Sequence, residues 1–488
     1  MYERGIHPRT SYIFRHALTR EVVYGSILAR RRRELHRQIG TALELLNKEN
    51  LSEHYEILSE HFYQSQNYVK AADYAKMAAR KAQKNAAFQD AIDHTKKRIL
   101  SLEKLSDSVD MDNDVIDARA ALGLYLTQIN HFVEAREAVE PVLLLARNKG
   151  VKKRLAQIQT VMGSYYGFVK EDFASAFETL GDALRIAGEQ QDIVTLFLAN
   201  FWSGIFRGFS CDFGKARSYI QRVLDISIAE NSLWGIASAK AQLAYFGYFL
   251  SGKINDLADL SSEALKIAEE SGDPQSKSVS HTIFGIACLT RGQFEDAVNE
   301  LLKGVNLCER VGLFSWAGAA CAHLAETYFE MKEYQKSREF YDRAMEYWHR
   351  VCLWPSWIDW ANLGIVRSTV MLGEKDVNLK RLPNITEKIR LRAAEGWTLR
   401  YLGEIFLNLG RDHFNQAEHW MRKAIKADAQ NGMRFNLGLD YALCAELYSR
   451  GGDHAKAKEN LGNAIKILQE CGAEWWMEKY RKQFIALF

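Results

Sequence analysis

The stretch GQFEDAVNELLKG, residues Gly292 to Gly304, contains the pattern from which the architecture can be inferred. Phe294 is followed by Ala297 three positions later, by Leu301 seven positions later and by Gly304 ten positions later. Offsets of three, seven and ten place side chains on one face of an α-helix. Small residues on that face let a second helix approach closely, while the aromatic and the leucine fill the remaining space. The stretch therefore predicts a helix that packs tightly against an antiparallel partner.

The same pattern recurs along the chain with a period of 40 or 41 residues. The anchors that correspond to Phe294 are Phe132, Phe173, Phe213, Ile254, Tyr334, Phe414 and His454. Three residues after each anchor stand Ala135, Ala176, Ala216, Leu257, Ser337, Ala417 and Ala457. Nine residues before the anchors, small residues recur at Gly123, Ser164, Gly204, Gly285, Ala325 and Ala445, with Tyr245 as the exception. A fixed period of this size is typical of stacked two-helix units. We therefore predict an all-α fold, an α-solenoid of helical hairpins.

This pattern of small and aromatic residues resembles the tetratricopeptide repeat (TPR) from about Ser52 to the C-terminus. The resemblance implies a TPR-like α-solenoid in which the hairpins form a right-handed superhelix. The chain departs from the common repeat because its period is about 40 where 34 is usual and the closing proline is missing. Longer helices and looser turns should follow. Between Gly364 and Ile389 the pattern of the second helix is lost, and Pro383 stands there.

These features divide the chain into five predicted segments. Residues 1–50 are the end of a winged-helix-like module and a linker helix, and residues 51–110 are a first TPR-like unit plus an extra helix. Residues 111–350 are regular TPR-like repeats, residues 351–395 a degenerate repeat, and residues 396–488 the C-terminal TPR-like repeats and a cap.

Repeats of about 40 residues resemble the C-terminal sensor arrays of signalling ATPases of the STAND or AAA type. Near the N-terminus, the pattern Phe14-x-His16-x-Leu18-x-x-Glu21-x-x-Tyr24-x-x-Leu28, followed by Arg32 or Arg33, Leu35 and His36, resembles the junction in those proteins between a winged-helix module and the repeats. It also resembles bacterial class III adenylate and guanylate cyclases fused to an ATPase. The resemblance implies a regulatory or sensor region with an attached or associated ATPase or cyclase module as partner.

Composition excludes several classes of protein. The 64 basic and 61 acidic residues give a net charge of +3. This balance is too even for a chain that binds nucleic acid over its whole surface. Seven cysteines without a C-x-x-C pair suit neither a disulfide framework nor a structural zinc site, so we predict a cytoplasmic protein. No run approaches 18 apolar residues, so we predict no membrane partner.

No catalytic motif is present in the sequence. The nearest approach to a phosphate-binding loop is GFSCDFGK, Gly208 to Lys215, which has five residues between its glycines and Ala216 where a hydroxyl is needed. Its position favours a turn between repeat helices. His54 and His61 are seven apart, whereas a helical metal motif places two histidines four apart, so a solvated helix face is favoured. We predict that the chain is not an enzyme and holds no cofactor or metal.

An arginine run lies in the first 44 residues, which hold nine arginines and four glutamates. This excess could attract the phosphates of nucleic acid. The alternative is a helix whose Arg30, Arg31, Arg33 and Arg37 face water or an acidic neighbour. We favour the alternative, also because the C-terminal stretch does not resemble the DNA-binding module of maltose-type activators. Nucleic acid is therefore not a predicted partner.

The candidate binding residues follow from the concave surface that stacked hairpins form with their first helices. In the middle units this surface would hold Tyr165, Phe168, Phe201, Phe209, Phe246 and Phe249, and in later units Glu326 and Glu330. An apolar wall with a charged end suits a protein or peptide partner, or a small ligand. The alternative is that longer helices turn the aromatics into inter-repeat core. For Trp348, Trp354, Trp357 and Trp360, filling the space beside the degenerate unit is favoured over stacking on a ring ligand.

Two function classes remain open at this point. The chain is either a regulatory sensor and scaffold whose bound ligand biases an ATPase or cyclase, or a stand-alone adaptor that assembles protein partners. A sensor domain of a transcriptional regulator is a further alternative.

Overall fold

A computed structural model describes residues 2–4, 11–13, 17–85, 87–105, 111–374, 376–379, 382–386 and 388–487, with side chains from residue 21 onward and without those of residues 383 and 385. Phe14 and His16 of the N-terminal pattern, and the side chain of Leu18, lie outside the described residues. The chain divides into two compact units, residues 1–128 with 141–151 and residues 129–140 with 152–488.

The first unit begins with two short strands, β1 (Tyr2–Arg4) and β2 (Ser11–Ile13), which pair antiparallel. This small sheet was not expected from the sequence. Helices follow in the order α1 (Ala17–Ser26), α2 (Ala29–Leu46), α3 (Tyr55–Gln64), α4 (Tyr68–Lys84), α5 (Phe88–Glu103) and α6 (Asp112–Gln128). Helices α3, α4 and α5 pack in sequence, and the buried face of α4 consists of alanines such as Ala71, Ala75 and Ala78.

Helix α7 (Phe132–Asn148) contributes to both units. The second unit continues with α8 (Lys152–Phe168), α9 (Phe173–Gln190), α10 (Ile193–Phe209), α11 (Phe213–Ala229), α12 (Leu233–Gln242), α13 (Ile254–Ser271), α14 (Pro274–Thr290), α15 (Phe294–Val311), α16 (Phe314–Glu330) and α17 (Tyr334–Arg350). It ends with α18 (Pro355–Met371), α19 (Pro383–Thr386), α20 (Arg392–Leu409), α21 (Phe414–Asn431), α22 (Arg434–Gly451), α23 (His454–Cys471) and α24 (Glu474–Leu487). A π-helical stretch, Leu243–Phe249, extends α12.

The predicted register is confirmed, and the fold is an all-α, TPR-like solenoid. Each predicted anchor is the first residue of the second helix of a hairpin, from Phe132 in α7 to His454 in α23. The residues three positions after the anchors are at most 1% exposed. Glycines nine before an anchor explain the close approach, because a Cβ added to Gly285 would lie 2.7 Å from Cγ of Leu301. A larger residue there would force the two helices apart.

The two helices of a hairpin differ in burial within the second unit. We call the first helix inner and the second helix outer. Of the 17 residues in each, 12 are buried in the inner helix α16, whereas 4 are buried in the outer helix α17. A helix that is apolar all round belongs in the interior, while an amphipathic helix covers a surface. The inner helices therefore form an interior layer that the outer helices cover.

The degenerate repeat interrupts this alternation. After the inner helix α18, the described residues contain only the four-residue helix α19 before α20 begins. As a result α18 and α20, two inner helices, pack directly against each other. None of the helices in the described ranges is both long and apolar enough to cross a membrane.

Candidate functional site

The predicted aromatic wall lies in the interior of the second unit. Tyr165, Phe168, Phe209, Phe246 and Phe249 are each at most 6% exposed. Inner helices of distant repeats contact one another here, as α10 contacts α20, so these five side chains are packed inside the protein and do not line an open groove. A role of these five residues in binding a partner stays a prediction.

Tryptophans of the degenerate repeat, together with Trp397 of α20, cover this wall. We call the combined set the inner aromatic cluster; it consists of Phe168, Phe209, Phe246, Phe249, Trp354, Trp357, Trp360 and Trp397. The ring of Trp354 lies 4.8 Å from that of Phe168 and 4.9 Å from that of Phe209, centroid to centroid. Trp397 lies 5.3 Å from Trp360 and 6.2 Å from Phe249. These are edge-to-face or tilted contacts at ordinary packing distance, as in a protein core.

Phe201 is placed differently from the other predicted aromatics. It is half-buried, and its ring stacks on Phe197 at 6.0 Å. Phe197 in turn contacts Trp234, which is 50% exposed. The predicted residue Phe201 therefore belongs to a partly open apolar edge of helices α10 and α12.

The two predicted acidic residues, Glu326 and Glu330, lie together in a second interior group, which we call the inner polar cluster. It consists of the carboxylates of Glu326, Glu330, Glu404 and Glu446, the cations Arg367, Arg450 and Lys479, and the hydroxyls of Tyr341 and Tyr401. Except for Tyr341, these side chains come from the inner helices α16, α18, α20 and α22 and from α24. Stacking of successive inner helices brings them to one place.

Arg367 is at the centre of the inner polar cluster. Its Nη1 donates to Oε1 of Glu326 at 3.1 Å, and its Nε lies 2.8 Å from Oε2 of Glu404. The guanidinium carbon lies 3.3 Å from the ring centroid of Phe329 and 4.2 Å from that of Tyr401. The side chain of Arg367 is 5% exposed, so the charge is compensated by two carboxylates and two aromatic faces.

The two carboxylates beside Arg367 have opposite pKa shifts. Burial raises the pKa of Glu326, but Arg367 and the hydroxyls of Tyr341 and Tyr401, which donate to it, outweigh burial, so the net pKa is lowered. Burial raises the pKa of Glu404 to about 7, because Arg367 compensates only in part and Glu330 and Glu446 add repulsion. Of the two carboxyls beside Arg367, Glu326 thus stays ionised, and Glu404 changes its charge near neutral pH.

The cluster extends from the interior to an accessible rim, which consists of Glu330, Glu446, Arg450 and Lys479. Nζ of Lys479 donates to Glu330 at 3.1 Å, and Arg450 pairs with Glu446 and donates to Asn408 at 3.1 Å. The side chains of Glu446 and Arg450 are 47% and 43% exposed. Charged groups at the rim are therefore in reach of a partner.

A further buried group lies beside this cluster. Nη1 of Arg400 donates to Oδ1 of Asp440 at 3.1 Å, and both side chains are at most 7% exposed. Asp428 is fully buried, and its carboxyl occupies the space that a side chain at Gly396 would fill. Burial raises the pKa of Asp440 to about 6 and the pKa of Asp428 well above its usual range. Two neighbouring carboxyls near one arginine cannot both ionise without cost.

The site residues predicted from the sequence did not include Arg367, Arg400, Glu404, Asp440 and Lys479. A signal was available for Arg400 and Glu404, because both stand beside apolar or aromatic residues of α20 and charged residues are buried only when they are paired. Their partners could not be inferred, since these stand on other repeats.

The chain matches known repeat proteins in part. A family model of the tetratricopeptide repeat matches residues 318–347, which belong to α16 and α17. A comparison with curated proteins finds no match in sequence.

One solved structure supports the same fold, and two others are similar to a smaller extent. A Rap protein complexed with competence and sporulation factor has a TM-score of 0.56 at 10% identity and covers 73% of this chain and 98% of that chain. The Rap conjugation gene regulator of plasmid pLS20, in complex with the Phr* peptide, has a TM-score of 0.48 at 13% identity and covers 73% and 96%. Yeast Tom70 has a TM-score of 0.35 at 13% identity and covers 89% and 96%. The chain thus contains a match to the tetratricopeptide repeat and has a fold similar to that of a Rap protein.

Proposed function

We propose that the chain is a non-catalytic TPR scaffold that binds a peptide or protein segment at the rim of the inner polar cluster. One observation carries the proposal: four inner helices and α24 concentrate charged side chains that pass from the 5% exposed Arg367 to the 47% exposed Glu446. Concave surfaces of stacked hairpins are where such folds bind partners. The Rap protein that shares the fold is complexed with competence and sporulation factor, which supports a binding role.

The rim can exchange partners at little cost. Exposed ion pairs such as Arg450 with Glu446 contribute about 0–1 kcal/mol each, so a charged group of a ligand can replace one member. The interior pairs around Arg367 are desolvated and remain in place. Charge complementarity at the rim would then select the partner and its orientation.

A capture experiment tests this function. Tagged wild-type protein and the double variant Glu330→Gln, Glu446→Gln are used to capture partners from lysate, and the bound proteins are quantified by mass spectrometry. The matched control is Glu295→Gln with Glu346→Gln, two exposed glutamates on outer helices. We expect the rim variant to lose partners that the wild type and control retain. Equal capture by all three proteins would place the binding surface elsewhere.

A finer form of the proposal is that the scaffold regulates an attached ATPase or cyclase. It is supported by the N-terminal resemblance and by one contact within the first unit. Tyr24 and His36 of the pattern are hydrogen-bonded at 2.7 Å, and Nδ1 of His36 lies 2.8 Å from Nδ1 of His61 in α3. A change at α1 and α2 would therefore alter a direct contact with α3.

Genomic DNA upstream of Met1 tests this form. An in-frame ATPase or cyclase segment supports it, and a promoter with a ribosome-binding site supports the stand-alone adaptor.

A further inference from the structure

A short segment of the degenerate repeat is seated against the middle repeats in the manner of a bound peptide. The segment comprises residues 353–356, Leu353 to Ser356, immediately before and within the first turn of α18. It contacts the end of α8 and the turn that follows it, about 185 positions earlier in the chain. Its contacts are of two kinds, aromatic and polar.

The aromatic contact is made by Trp354. The indole ring lies between Phe168 and Phe209, at an interplanar angle of 84° to the first and 65° to the second. The backbone N–H of Trp354 donates to the carbonyl of Phe168 at 3.4 Å. Trp354 is 9% exposed, so its ring fills the pocket that the two phenylalanines form. An aromatic anchor in a desolvated pocket is the usual energetic centre of a protein–peptide interface.

The polar contact is made by Glu171, which is 4% exposed. Its Oε1 accepts from the backbone N–H of Ser356 at 3.0 Å, and its Oε2 accepts from the Ser356 hydroxyl at 2.6 Å. Trp354 offers no side-chain cap to α18, so the carboxylate of Glu171 serves as the N-terminal acceptor of that helix from a distant repeat. Arg390 adds two hydrogen bonds to this contact. Its backbone N–H donates to the Ser356 hydroxyl, and its Nη1 donates to the carbonyl of Lys170.

The backbone around the segment is not in a relaxed conformation. Trp354 has φ 60°, in the left-handed region that residues other than glycine rarely adopt, whereas the φ of 53° at Cys352 recurs at other turns between helices, such as Gln191, Asn231 and Lys332. The pocket contacts hold Trp354 in this conformation. An external peptide that makes the same contacts from an ordinary backbone would avoid this strain.

We propose that Phe168, Phe209 and Glu171 form a second peptide-binding site, which the chain's own 353–356 segment occupies in this structure. The ligand is a peptide with a tryptophan or another large aromatic residue, followed two positions later by serine or threonine. The ring enters the phenylalanine pocket, and the backbone N–H and hydroxyl of the second residue donate to Glu171. This inference rests on the proposed function, because it specifies the chemistry of a peptide partner, and it adds a site that is separate from the rim of the inner polar cluster.

The test uses a variant whose pocket is vacated. Trp354→Gly removes the ring and suits the left-handed φ, and Ser356→Ala removes the hydroxyl. The probe is a fluorescein-labelled peptide of residues 353–359, LWPSWID, and the control peptide is LAPAWID. We expect the vacated full-length variant to bind LWPSWID at least about tenfold more tightly than LAPAWID, and more tightly than the wild type does, by fluorescence anisotropy.

The contribution of the carboxylate is tested in the same variant. Glu171→Gln should weaken binding of LWPSWID by about tenfold, because a charge-assisted pair of hydrogen bonds is lost. Glu178→Gln, an exposed glutamate on the neighbouring outer helix α9, is the matched control and should leave binding unchanged. A vacated variant that is folded by circular dichroism and does not distinguish the two peptides would overturn the proposal.

A second measurement covers the case in which the vacated variant does not fold. Hydrogen exchange of residues 353–357 is followed in the wild type, with and without excess LWPSWID. Faster exchange with this peptide, and not with LAPAWID, is expected if the peptide displaces the segment; unchanged exchange would count against the site. The rim variant Glu330→Gln, Glu446→Gln should bind LWPSWID as the wild type does. The capture experiment and the LWPSWID experiment therefore test the rim and the second site separately, and a negative result in one does not decide the other.

Discussion

The inner helices of the middle repeats and those of the later repeats hold the same architectural position with opposite chemistry. Around α8 and α10 the interior is aromatic, with Phe168 and Phe209 against Trp354. Around α16, α18 and α20 it contains Glu326, Arg367 and Glu404 in direct contact. The hairpin register is the same in both regions, since Ala216 and Ser337 are both fully buried three positions after an anchor. The small residues therefore maintain the stack, while the chemistry of its interior varies independently.

The largest effect is expected for Phe209→Ser in the aromatic region. The loss of a ring that is 3% exposed should lower the free energy of unfolding by at least about 3–5 kcal/mol, and the new hydroxyl would be unpaired. Phe201→Ser, at the half-buried edge, should cost only about 1 kcal/mol. Urea unfolding followed by circular dichroism measures both. Equal losses would mean that Phe209 is no more buried than Phe201.

A large effect is also expected for Arg367→Met in the polar region. The substitution leaves Glu326 and Glu404 without their cation in the interior, which should cost about 3 kcal/mol. Arg422→Met is the matched control, because Arg422 pairs with Glu418 on an outer helix and its side chain is 64% exposed. That control should change stability by less than about 1 kcal/mol. A similar cost for both arginines, measured by thermal unfolding, would contradict a desolvated cluster.

Ala297→Leu tests the register that the two regions share. Ala297 is fully buried where α15 packs on α14, so the larger side chain should destabilise the protein by about 1–3 kcal/mol. Asn299→Leu, at an exposed position of the same helix, should stay within about 0.5 kcal/mol. An unchanged melting curve for Ala297→Leu would contradict close packing at this position.

An effect of pH is also expected, and it should be specific to the polar region. Burial raises the pKa of Glu404 from 4.5 to about 7, so the folded state holds this proton more tightly than the unfolded state. Its contribution to stability is fully present below about pH 4.5 and is lost as the pH rises through about 7. Melting temperatures between pH 5 and 8 should therefore fall less steeply for Glu404→Gln than for the wild type. Parallel curves would show that Glu404 titrates as an exposed glutamate does.

The hairpins could be predicted from sequence because their contacts join residues within one repeat. Leu301 meets Gly285 across a single turn, and both residues carry the periodic signal. The start of α18 at Pro355 also follows a local rule, because proline suits the first position of a helix. The candidate binding residues were predicted less well. Their spacing places them on the inner face of the stack, but spacing along one helix does not say what lies opposite.

The amino-acid sequence was sufficient to establish the repeat and its register, because both depend on neighbours about 40 positions apart or fewer. The covering of Phe168 and Phe209 by Trp354, the clamp of Glu171 on Ser356 and the meeting of Glu326 with Arg367 and Glu404 became visible only in the folded chain. Glu171 and Ser356 are 185 positions apart, and Trp354 is similarly distant from Phe168. These contacts depend on the total rotation between distant repeats, which is the sum of the small rotations from one repeat to the next. The sequence of one repeat does not specify that total.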